Sequence, residues 1–128
     1  MRTLSFLPFF LLIAIGSAQA STPQQFLAQF EQQAGASASP ERGARFFTSK
    51  HGSDWSCSSC HGEQPASGGR HAKTDKPIKP LAPAANSERF SDEAKVDKWF
   101  RRNCRDVVGR ECSAQEKADV LAWLLNKK

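Results

Sequence analysis

Cys57-Ser58-Ser59-Cys60-His61 limits what this chain can become more than any other stretch. Two cysteines separated by two residues and followed at once by histidine form the attachment signature of c-type haem. The spacing has a chemical basis. Both thiols can add across the vinyl groups on one porphyrin edge, which leaves the next residue beneath the iron. An imidazole there can bind axially. A zinc knuckle would need a fourth ligand at matching spacing, and a thioredoxin-type CxxC would sit in a βαβ pattern; neither is visible. The expectation is one covalent haem c on Cys57 and Cys60, with His61 as the proximal iron ligand.

The N-terminus sets the compartment. Met1-Arg2 precedes an apolar run from Leu4 to Ile15, and Ala18-Gln19-Ala20 supplies a small-residue cleavage site. That is the pattern of a secretory signal peptide over residues 1–20, with a run too short to span a bilayer. The expected product is periplasmic and not stably inserted in a membrane, and residues 21–128 form one domain. Of the 4 cysteines, two go to haem, and in an oxidising compartment Cys104 and Cys112 most simply pair as a disulfide. The formal charge of +5 drops by one when Arg2 leaves. That modest excess reads by default as a solvated surface and otherwise suits an acidic docking partner, whereas nucleic acid does not fit the compartment.

Helix signals dominate the remainder. Ser21-Thr22-Pro23 opens a first helix with Phe26, Leu27 and Phe30 on one stripe, ended by Gly35. Pro40-Glu41 opens a second, carrying Gly43, Phe46 and Phe47. From Gly62 to Asn86 four prolines and Gly68-Gly69 remove periodicity, as in a loop wrapped round the haem edge with Ile78 and Leu81 inward. Ser91 reads as the cap of a third helix, where Val96, Trp99, Phe100 and Asn103 fall at i, i+3, i+4 and i+7. Ser113 to Glu116 is a capping box before the last helix. No strand pattern is present, so the fold class is all-α.

The order of helix, CxxCH, irregular loop and terminal helix resembles class I cytochromes c over residues 40–128. Gly43 with Phe47 matches the Gly-x-x-x-aromatic pattern of that family's N-terminal helix, and Val120 with Trp123 matches its partners. Most class I carriers use methionine as the sixth ligand. The only methionine here is Met1, which departs with the leader, so His–Met ligation is excluded.

A closer resemblance is to the sphaeroides haem protein type of cytochrome c. It is carried by Leu81-Ala82-Pro83, Arg89 to Asp92, Lys98-Trp99, Arg102-Asn103-Cys104 and Gly109-Arg110-Glu111-Cys112. The resemblance implies an asparagine as sixth ligand to ferric iron, at Asn103. It also implies binding of oxygen, nitric oxide or carbon monoxide once reduced, and a dihaem c-type cytochrome as electron donor. Asn103 is a candidate on the residues too, since an amide on an apolar stripe calls for a partner. The expected haem pocket is Val96, Trp99 and Phe100. His51 and His71 compete for the sixth position, and Asn103 as a mere helix C-cap is the plain alternative. A simple electron carrier with a permanent non-methionine ligand is the rival function. No acid/base pair or second cofactor motif accompanies the haem signature, so any enzymatic activity rests on haem chemistry with oxygen or nitrogen oxides. Lys98, Arg101, Arg102 and Arg105 crowd the same helix, where they complement its dipole or steer an acidic donor.

Overall fold

A computed structural model describes residues 20–128. The expected leader therefore lies outside the described residues apart from Ala20, which is exposed. Side-chain caps fix where the helices begin. In α1 (Pro23–Ala34) Thr22 Oγ1 accepts from the Gln25 amide at 3.2 Å, while Gln25 Oε1 accepts from the Thr22 amide at 2.8 Å. α2 (Pro40–Thr48) starts on Ser39, whose Oγ accepts from the Arg42 amide. α5 (Ala114–Leu125) starts on the expected box, with Ser113 and Glu116 exchanging bonds of 3.2 and 2.8 Å. Each exchange satisfies amides that a helix start otherwise leaves open.

α4 (Glu93–Val108) departs from the expectation by one residue. Its cap is Asp92, whose Oδ1 accepts from the Lys95 amide at 2.9 Å. Ser91 Oγ instead donates to the Glu88 carbonyl at 2.8 Å. Phe90 turns the chain with φ +56 just before it, and Asp92 is then the first residue placed to cap.

α5 is the spine of the core. Ala118 and Leu121 pack with Phe26 and Phe30 of α1, whereas Val120, Trp123 and Leu124 pack with Phe47 of α2. Phe26, Phe30, Phe47 and Leu121 are all but sealed from solvent, each contributing about 1.5–3 kcal/mol of burial. Phe90 touches both clusters. α4 joins this core differently. Val96 is buried against the α1–α5 cluster, and the Phe100 ring meets Phe30 edge-on at 5.6 Å. At its far end Cys104 is bonded to Cys112, and Ser53 Oγ donates to the Val107 carbonyl at 3.0 Å. Between these anchors, no other described helix backbone runs closely alongside α4.

Two local elements escape the sequence patterns. Ser58–His61 forms a single helical turn, α3, and the loop that follows pairs β1 (Gly69–Arg70) with β2 (Pro77–Ile78) antiparallel. Gly69 faces Ile78 and Arg70 faces Pro77. Arg70 and Asp75 clamp the hairpin with bonds of 2.7 and 2.9 Å. The domain remains helical, with this one ribbon inside its irregular loop.

Candidate haem site

The attachment motif is built as a helical turn. Ser56 starts it, its amide donating to Ser59 Oγ at 3.0 Å and its hydroxyl sharing a 2.7 Å bond with Ser58. The His61 amide donates to the Cys57 carbonyl at 3.1 Å. On one turn, residues three apart project from the same side, so Cys57 and Cys60 face together and His61 follows directly. Neither cysteine is in a disulfide, unlike the Cys104–Cys112 pair, so both sulfurs are available for thioether bonds.

His61 lies beside Phe47, with ring centroids 6.0 Å apart. Burial first, and then the positive charge of Arg89, push its pKa down to about 4. The imidazole is therefore neutral, as a metal ligand must be. Its Nδ1 is buried without a hydrogen-bond partner. The loop presses close on this turn: a Cβ on Gly69 would overlap the Cys60 carbonyl, and the Ala72 amide donates to Cys60 Sγ at 3.3 Å. Two cysteines on one side of a helical turn, a neutral imidazole next in line and its buried, unpartnered Nδ1 fit covalent haem c.

The rest of the expected pocket divides in two. Val96 is buried and Phe100 half-buried, both directed at α1 and α5. Trp99 is 45% exposed, with Lys98 and Arg102 placed over its ring at 5.5 and 5.7 Å. Asn103, one turn beyond Trp99, is also exposed. The four residues thus do not share one buried stripe, because Val96 and Phe100 turn toward protein and Trp99 and Asn103 lie on the adjoining flank. An open groove of about 330 Å³ on α4 is lined by Lys98, Arg101, Arg102, Arg105 and Asp106 and by none of the motif residues.

The competing histidines are engaged elsewhere. His51 stacks on Phe46 at 4.3 Å, and its Nε2 lies 2.7 Å from the Phe46 carbonyl, to which it can only donate. His71 Nδ1 accepts from the Lys73 and Thr74 amides at 3.3 Å. An imidazole whose Nδ1 accepts carries its proton on Nε2, leaving no lone pair for iron.

The family model for a domain of unknown function (DUF1924) matches residues 33–124. The cytochrome c-type protein SHP of Cereibacter sphaeroides is 45% identical over 108 residues, covering 81% of this chain and 83% of that protein. The structure of oxidised SHP, an oxygen-binding cytochrome c, superposes with a TM-score of 0.76, covering 82% of this chain and 96% of that one. The chain belongs to the sphaeroides haem protein type of cytochrome c. It is accordingly a cytochrome c with one covalently bound haem. Cytochrome c'' of Methylophilus methylotrophus shares this fold, at 34% identity and a TM-score of 0.73, covering 82% of this chain and 93% of that one. Its solution structure bears on haem-ligand detachment in that protein.

Within this type of cytochrome, three features here were not legible beforehand. The α3 turn has no periodic signal at four residues. The approach of Gly69 was signalled only by the Gly68-Gly69 pair. Arg89 was visible as part of a motif, but its closeness to His61 was not. No helix of the described residues is long and apolar enough to cross a membrane.

Proposed function

We propose that this cytochrome is exported to the periplasm, receives an electron from a partner cytochrome, and in the reduced state binds a small diatomic molecule such as oxygen. Haem supplies a redox-active iron with two axial positions. Cys57 and Cys60 would hold it through thioethers, and His61 and Asn103 would be its two protein ligands to iron. Asn103 would hold ferric iron better than ferrous iron, because an amide oxygen is a hard donor matched to the harder ferric ion. The freed amide NH₂ can then donate a hydrogen bond to an incoming ligand. The donor is a dihaem c-type cytochrome, as the family resemblance implies.

The observation that carries this reading is the position of Asn103. It is an exposed amide on the helix that stands apart from the other helix backbones, one residue before a disulfide that tethers that helix end. No methionine remains after Met1, and the histidines outside the motif are engaged with backbone groups. The oxygen binding of SHP and the ligand detachment in cytochrome c'' lend support from relatives. Asn103→Ala tests it: the haem stays attached, and the ferric visible spectrum changes to that of a high-spin or water-ligated iron. An unchanged ferric spectrum would remove Asn103 from the site.

A further inference from the structure

α4 carries its cations on one face. Each helical residue turns the side-chain direction by about 100°, so Lys98, Arg101, Arg102 and Arg105 share one arc of about 100°, across from Val96 and Phe100. All four are exposed, and with Asp106 they line one open groove. Ordinary roles account for Arg105 alone. It bonds to Glu111 at 2.7 Å and lies in the last turn, where a cation complements the helix dipole. Lys98, Arg101 and Arg102 lie before that turn. Among the described residues no carboxylate stands within salt-bridge distance of these three. Asp97 and Asp106 border the arc, and counting them with Glu111 still leaves the face positive. The spacing also works against the helix. Lys98 with Arg102 and Arg101 with Arg105 are four residues apart, and like charges at that spacing destabilise a helix.

Two of the cations are held in position. Lys98 Nζ lies 5.5 Å and the Arg102 guanidinium 5.7 Å from the centre of the Trp99 ring. Around the helix, Trp99 lies between these two and Asn103. We propose that this face of α4 is where an acidic redox protein docks to reduce the haem. The proposal rests on the electron-accepting role proposed above, and adds where the donor sits and what its surface carries. One electron leaves the donor, which is oxidised, and the haem iron goes from ferric to ferrous. Donor carboxylates take the groove, and the opposite charges steer the encounter. An anionic membrane fits this face less well, because no apolar side chain lines the groove to enter the acyl region.

The experiment mixes ferric holoprotein with either of two reductants: reduced flavodoxin, an acidic one-electron donor protein, or photoreduced lumiflavin, a small uncharged one. Wild type is compared with Lys98→Gln/Arg101→Gln/Arg102→Gln and with Lys50→Gln/Lys76→Gln/Lys128→Gln, which removes equal charge from exposed positions off α4. With flavodoxin at low salt, the α4 variant should react about tenfold more slowly than wild type and lose most of its salt dependence. The control variant should stay close to wild type, and lumiflavin should reduce all three at one rate. Equal slowing of both variants by flavodoxin would overturn the proposal, leaving only overall charge. Equal slowing of the α4 variant by lumiflavin would overturn it too, because the substitutions would then act on the haem. Wild-type binding to phosphatidylglycerol vesicles that the α4 variant loses, with flavodoxin rates unchanged, would overturn it in favour of a membrane surface. Should the α4 variant yield no holoprotein, Arg101→Glu decides, on the side of α4 away from Asn103: an unslowed flavodoxin reaction overturns the docking. Wild type reduced by neither reagent would sink the electron-accepting role and this proposal with it. The Asn103 assignment is read separately, from the ferric spectrum and from carbon monoxide binding after chemical reduction, so either can fail alone.

Discussion

Gly43 of α2 rests directly on the backbone carbonyl of Asp119 in α5, so closely that a Cβ at position 43 would overlap it. In an open helix interior, replacing glycine by alanine stabilises by about 0.5–1 kcal/mol. At this crossing the gain loses to overpacking, which costs about 1–3 kcal/mol or more. Gly43→Ala is therefore expected to destabilise the holoprotein in denaturant unfolding. A stabilised variant would mean the two helices can separate at no penalty.

The Asp119 side chain locks the same crossing. It accepts from the Ser39 amide at 2.7 Å, from Arg42 at 2.7 and 2.8 Å, and from Gln115 at 2.9 Å. Burial alone would raise its carboxyl, but these donors outweigh burial and hold it below the ordinary 3.8. A depressed acid stabilises the fold above its unfolded pKa, and the contribution fades as pH falls through the folded value. Asp119→Asn should therefore lose about 1–3 kcal/mol at neutral pH. It should also flatten the loss of stability below about pH 4. Tm measured against pH for both proteins checks the sign; parallel curves would contradict it.

How far the sequence carries can be seen at these same residues. Gly43, Phe47, Val120 and Trp123 were readable as a crossing pair, because helix periodicity and a small residue at the contact are local signals. Caps at Thr22 and Ser113 were readable for the same reason. The choice of Asp92 over Ser91 was not, since it depends on the positive φ of Phe90, a backbone choice unexpected of a bulky side chain. The β1–β2 ribbon is only two residues on each strand and contains glycine and proline, so alternation had no length in which to show. In the site, the CxxCH motif is local and gave Cys57, Cys60 and His61 together. Trp99 and Asn103 were placed on the face of Val96 and Phe100 by spacing alone. The structure buries Val96 and half-buries Phe100 against α1 and α5, and leaves Trp99 and Asn103 exposed on the adjoining flank of α4.

The Cys104–Cys112 bond closes a short loop between α4 and α5. Chain entropy gives such a closure about 2–3 kcal/mol. Cys104→Ser/Cys112→Ser should unfold at correspondingly lower denaturant. Because Asn103 adjoins Cys104, the double variant should also raise the high-spin fraction of the ferric protein. Wild-type protein unfolded without reductant should show no reactive thiol at these positions, and labelling of both would refute the bond.

Cys57 and Cys60 predict a covalent signature. Acidic organic solvent should leave the haem on the wild-type protein, and mass spectrometry should show one haem per chain. Cys57→Ala and Cys60→Ala should each lower covalent loading, and the double variant should release all haem. His61 substitution should preserve some attachment but disturb the iron spectrum, because attachment and proximal ligation use different side chains. Full extraction of haem from the wild type would sink the assignment of both thiols.

The ligand-binding proposal and a plain electron carrier part company in the reduced protein. If Asn103 leaves ferrous iron, carbon monoxide should bind and change the visible spectrum promptly, whereas a permanent ligand would leave it unaltered. Asn103→Ala should bind it at least as readily, having no amide to displace. Asn103→Met offers the opposite test, because a thioether is a softer donor that suits ferrous iron better than an amide oxygen does. That variant should resist carbon monoxide in the reduced state and behave as a closed carrier. Resistance requires the methionine sulfur to reach the iron from position 103, so this result would also report that α4 brings the residue to the haem. Equal carbon monoxide binding by the wild type, Asn103→Ala and Asn103→Met would place residue 103 away from the iron.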